Sequence, residues 1–168
     1  MDKTTRLCAL VLALAPLIAA ADPTGFTTEF PIEDCYFRTR GNNPFFALQP
    51  GRQAYFSNQR CFAAGHCDEL EELWITVLDK ERRVRLQDDG ERRWVTTRVV
   101  EEVETADGEL VEISRNFFAE CAGTQDVYYF GEEVDIFEDD EIVSHEGAWL
   151  AGRDGAQPGL IMPGGAFL

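Results

Sequence analysis

Apolar and polar side chains alternate along much of this chain, and period two is the signature of strands with one buried face. The clearest stretch runs from Arg93 to Cys121. Val95, Thr97, Val99 and Val103 fall on one side, with Thr96, Arg98 and Glu102 on the other. Thr105-Ala106-Asp107-Gly108 interrupts the alternation, and Asp-Gly between alternating runs is a hairpin signal. The return run sets Val111, Ile113, Phe117, Ala119 and Cys121 at period two. A helix would need apolar spacings of three and four, which this region lacks.

Further strands are expected on both sides. Arg52 to Ser57 alternates around Tyr55, and Leu73 to Leu78 is rich in β-branched and aromatic residues. Glu81 to Leu86 reads as a separate strand, with Val84 and Leu86 on one face, before an Asp88-Asp89-Gly90 turn. Val127 to Phe130 follows a turn at Gly123-Thr124, and Val134 to Phe137 extends it past Gly131. Ile142 to Leu150 reads as one strand, and Leu160-Ile161-Met162 as a short one inside a Gly/Pro-rich close. Short connections force neighbours to pair. The expected fold is therefore all-β: an antiparallel meander forming a sandwich or a partial, open barrel, with residues 43–168 as one domain.

The first residues do not follow this pattern. Lys3 and Arg6 precede an apolar run from Leu7 to Ile18, and Ala19-Ala20-Ala21 supplies an Ala-x-Ala cleavage pattern. Residues 1–21 thus read as a secretory signal peptide and 22–42 as an N-terminal leader, loosely held from Asp22 to Pro31. The apolar run is about a dozen residues, short of the ~20 that span a bilayer. The expected location is the periplasm or the exterior.

Export changes the meaning of the cysteines. Cys35, Cys61, Cys67 and Cys121 follow the signal segment, and four cysteines in an exported chain are most simply two disulfides. Three connectivities are open. Cys61 and Cys67 enclose a short loop that closes easily, worth on the order of 2–3 kcal/mol, which would leave Cys35 facing Cys121. A zinc site on Cys61, His66 and Cys67 lacks a fourth ligand.

Charge narrows the partners. The 168 residues carry 15 Lys+Arg against 31 Asp+Glu, a formal net charge of −16. Phosphates would be repelled, which argues against nucleic acid and against anionic membrane surfaces. A hydrophobic fraction of 45%, with 12 Phe, 4 Tyr and 3 Trp, still builds a core.

Candidate chemistry is sparse. The chain has 2 histidines, His66 and His145. Ser144-His145-Glu146 holds the residue types of a hydrolase triad, but strand neighbours point to opposite faces. The acidic turns Asp88-Asp89-Gly90-Glu91 and Glu138-Asp139-Asp140-Glu141 lack the spacing of a helix–loop–helix calcium site. No catalytic residue, cofactor or metal ligand is assigned. Trp94, Phe117 and Tyr129 are the candidate ligand-facing aromatics, either core or the lining of a cavity inside a curved sheet.

Several words of the sequence resemble a family of uncharacterised bacterial exported proteins. Asn43-Pro44-Phe45-Phe46-Ala47-Leu48-Gln49-Pro50-Gly51 is similar to its NPYFPLxPG opening. Asp126-Val127-Tyr128-Tyr129-Phe130-Gly131-Glu132 and Gly152-Arg153-Asp154-Gly155-Ala156-Gln157-Pro158-Gly159-Leu160-Ile161-Met162-Pro163 continue the likeness. The resemblance spans about Asn43 to Gly164 and implies no activity or cofactor. It implies that this chain is a member cut short at its C-terminus, leaving an open sheet edge. The expected function is a non-enzymatic structural or protein-interaction module. A carrier of a small hydrophobic ligand is the alternative, and a hydrolase is disfavoured.

Overall fold

A computed structural model describes residues 32–88 and 91–165. The signal-peptide reading, residues 22–31 of the leader and most of the Asp88-Asp89-Gly90 turn lie outside the described residues. The chain forms β1 (Phe37–Arg38), β2 (Gln53–Ser57), α1 (Gln59–Ala63), β3 (Glu71–Asp88), β4 (Glu91–Ala106), β5 (Glu109–Cys121), β6 (Val127–Glu138), β7 (Glu141–Ser144), β8 (Trp149–Leu150) and β9 (Gly159–Met162). These strands make one antiparallel sheet with the meander order β2-β3-β4-β5-β6-β7. β1 joins β5, while β8 and β9 join β6. The sheet is not closed, so the fold is the all-β meander expected from the alternation.

Bulges turn this ribbon into a two-sided core. β4 and β5 pair only as far as Arg98↔Phe118. Beyond that point β1 takes the place of β4, with Phe37↔Cys121 and Arg38↔Glu120. The far half of the β3–β4 hairpin packs against β5 and β6. Val84, Leu86, Val95 and Val99 meet Phe117, Ala119, Cys121, Tyr128 and Phe130 in one buried cluster. On the opposite face, Leu48 seals a second cluster of Val77, Val100, Phe118 and Val127. The run Tyr128-Tyr129-Phe130 divides between the two: Tyr128 and Phe130 enter the first, and Tyr129 flanks the second.

Three local readings are corrected. Leu73–Leu78 and Glu81–Leu86 belong to one strand, β3, whose register shifts between Val77 and Glu81. The guanidinium of Arg98 holds that bulge, donating to Leu78 O at 3.3 Å and Lys80 O at 3.1 Å. Ile142–Leu150 is instead two strands separated by a turn, in which Ala148 N–H donates to His145 O. The loop between Ser57 and Cys67 contains the short helix α1. The described part of the leader, 32–42, is bonded to the sheet through β1. A disulfide, Cys35–Cys121, fastens it as well, with Cα atoms 5.1 Å apart.

The second disulfide is Cys61–Cys67, with Cα atoms 5.4 Å apart. This connectivity takes both sulfurs away from any zinc reading. Disulfides persist in oxidising compartments. Among the described residues, no helix is long and apolar enough to cross a membrane.

Candidate functional site

β2 ends the sheet. Among the described residues it pairs with β3 alone, and all five of its own residues are exposed. Asn58 N–H donates to Glu71 O, so amides of the same parity, Ala54 and Phe56, turn toward β3. The N–H groups of Gln53, Tyr55 and Ser57 therefore face outward. Edge strands are normally blunted by charge, proline or shortness. Gln53-Ala54-Tyr55-Phe56-Ser57 contains neither a charge nor a proline. The opposite edge, β7, has four residues and begins in the acidic turn.

The side chains of β2 serve both faces of the sheet. On one face Tyr55 packs on Trp74, with ring centroids 5.0 Å apart, and its hydroxyl donates to Glu72. That hydrogen bond raises the Tyr55 pKa above its usual value. On the other face Phe56, 57% exposed, stands between two clefts. The first, about 660 Å³, is lined by Phe56, Leu73 and Val111 together with Glu69, Glu71, Glu72 and Glu104. The second, about 280 Å³, is mainly apolar, lined by Phe45, Phe46, Ala54, Phe56, Ile75 and Val100 together with Arg52. Thr105 lies in the wall of the first cleft, and its buried hydroxyl has no hydrogen-bond partner.

The two faces differ in how they treat charge. The register places Phe56, Leu73, Glu104, Glu112 and Ile136 in one row across the sheet. Ala54, Ile75, Glu102, Ser114 and Val134 form the next row on the same face. Neither row contains a lysine or arginine. Burial, then the charges of Glu104, Glu132 and Glu112, hold the Glu102 carboxyl above its usual range. Burial, then Glu104 and Glu132, does the same for Glu112. The reverse face is compensated. Arg115 bridges Glu101 at 3.2 Å and Asp135 at 2.9 Å, and Arg82 pairs with Glu133.

The three aromatics singled out in the sequence are not brought together. Trp94 is exposed, with the guanidinium of Arg83 over its ring at 4.7 Å. Phe117 is buried in the first core cluster beneath Arg82. Tyr129 stacks on Phe118 at 4.8 Å and donates to Asn116 Oδ1 at 2.6 Å. Burial raises the Tyr129 pKa well above the usual phenol value.

The hydrolase residues are likewise apart. His145 is exposed, and its Nδ1 lies 2.8 Å from Val134 O and 3.0 Å from Asp135 Oδ1. Ser144 Oγ accepts from Glu146 N–H, so it is turned to its own backbone. Among the described residues, no group of three or more His, Cys, Asp or Glu side chains is arranged to hold a metal.

Sequence reading missed three polar residues at the centre of the fold. Glu120 has no solvent contact, accepts from Arg38 through one oxygen and from Asn43 N–H at 2.8 Å through the other. Arg98 spans the β3 bulge and Thr39. Asn43 Oδ1 accepts from Phe45 and Phe46 N–H, and its Nδ2 donates to Gln125 O and Pro163 O. The Asn-Pro and Met-Pro words of the sequence thus meet at one side chain. That role is structural: they clamp the segment before β2 to the end of β9. No protein-family model, curated protein or solved structure matches this chain.

Proposed function

We propose that this chain is an exported, non-enzymatic interaction domain that receives an extended protein segment along β2. The observation that carries the reading is the outer edge of β2: uncharged, free of proline, exposed and bearing Tyr55 and Phe56. An extended segment added there gains main-chain hydrogen bonds, while its alternate side chains enter the clefts. The two disulfides and the secretory pattern at residues 1–21 support an oxidising destination outside the cytoplasm.

The carrier reading is weaker. Its apolar cleft of about 280 Å³ is at the small end of ligand pockets, roughly 300–1,000 Å³. Trp94, Phe117 and Tyr129 also point to different surroundings. The imidazole of His145 is engaged by Val134 O and Asp135 and not by a serine hydroxyl, which disfavours the hydrolase.

A photo-crosslinking amino acid at Phe56 tests the proposal in cells that express and export the chain. A second copy of the experiment places it at Tyr36, which is more exposed but distant from β2 in the chain. The expected result is a discrete protein adduct from position 56 and none from position 36. Equal labelling at both positions, or no adduct at 56, would overturn it.

A further inference from the structure

We infer that the segment received by β2 is cationic and amphipathic, an extended run in which lysine or arginine alternates with apolar residues. The inference rests on reading β2 as an interaction edge and specifies the chemistry of its occupant. Five β2 residues offer about 16 Å of strand, enough for a partner of roughly five to seven residues. The outward N–H groups of Gln53, Tyr55 and Ser57 demand an extended backbone, not a helix.

The side-chain surface then selects charge and pattern. Phe56 separates an apolar cleft from one bearing Glu69, Glu71 and Glu104, while the Glu72 carboxylate is turned to the Tyr55 hydroxyl. None of Glu69, Glu71 and Glu104 has an ion-pair partner among the described residues, whereas the opposite face pairs its acids with Arg82 and Arg115. A partner strand laid beside β2 places alternate side chains over this face. In a strict basic–apolar alternation the basic side chains share this face and reach the glutamates, while the apolar ones fall on the reverse face against Tyr55 and Trp74.

A second copy of this chain fits less well. Its own β2 has no cation, and edge-to-edge pairing would bring two glutamate-bearing faces together in molecules of charge −16. Like charges juxtaposed across an interface oppose association.

Fluorescence anisotropy with the full exported chain tests the inference. The probe is a labelled seven-residue peptide alternating lysine with valine. Two controls carry glutamate in place of lysine, or backbone N-methyl groups along one edge. The lysine peptide is expected to bind and to weaken as salt rises to about 0.3 M. A Glu69→Gln/Glu104→Gln chain should bind it about tenfold less tightly. The N-methylated peptide should not bind.

Equal binding by the glutamate peptide, or unchanged affinity in the Gln variant, overturns the cationic partner but leaves β2 as an interaction edge. No binding by any peptide, with no adduct at Phe56, overturns both readings. A two-chain assembly in light scattering that the lysine peptide cannot dissolve makes the occupant a second copy and also overturns the inference.

Discussion

At the scale of single residues, the fold is organised by buried charge as much as by apolar packing. Glu120 sits fully out of solvent between Arg38 and the Asn43 amide. Gly41 passes so close that a Cβ there would lie 1.9 Å from Glu120 Oε2. A buried carboxylate is tolerated only when its partners are complete, and removing one partner of such a pair costs about 3–5 kcal/mol. Glu120→Ala should therefore lower stability by about that amount, because it leaves Arg38 and the Asn43 N–H without their acceptor. Glu120→Gln should cost less, since an amide oxygen still accepts. Urea unfolding of the two variants against the parent chain checks the order; equal midpoints for all three would contradict it. None of this was legible beforehand. Glu120 lies at an outward position in the alternation, and only the arrival of Arg38 and Asn43 from 77 to 82 residues away buries it.

At the scale of elements, the hairpins follow local chemistry and the irregularities do not. Asp107 and Gly108 adopt positive φ at the β4–β5 turn, as the Asp-Gly signal predicts. The bulge in β3 depends on Arg98 of the next strand, so Asp79-Lys80 looked like a break between two strands. The split of β7 from β8 follows a turn through Gly147 with φ of 93°, hidden inside an apolar run. β1 has two residues and no pattern to detect; its place is set by the Cys35–Cys121 bond. That bond closes a loop with a sequence separation of 86, against 6 for Cys61–Cys67. In the chain-entropy account the longer loop contributes about 4–5 kcal/mol and the shorter about 2. Cys35→Ala/Cys121→Ala should thus destabilise the chain roughly twice as much as Cys61→Ala/Cys67→Ala. Paired denaturation curves measure this, and a larger loss from the short loop would contradict the account.

At the scale of the whole molecule, one half of the ribbon is covered on both faces and the other ends in an exposed edge. The all-β class and the meander order were legible because they follow from period two and from short connections, whereas the cysteine pairing remained one of three open connectivities until the fold brought Cys35 to Cys121. The candidate site was not. Trp94, Phe117 and Tyr129 stood out as large aromatics, yet size does not say which face or which layer receives them. β2 looked like an ordinary strand; that it is last in the sheet, beside a face of uncompensated glutamates, is a property of the assembled register.

Amide hydrogen exchange, resolved by residue in the full exported chain, tests this edge most directly. In the free protein, Gln53, Tyr55 and Ser57 should exchange rapidly while Ala54 and Phe56, turned toward β3, are protected. Adding the lysine–valine peptide should protect all three outward amides and leave the β7 amides unchanged. Protection of those amides in the free chain, or no change on adding peptide, would contradict β2 as a receiving edge.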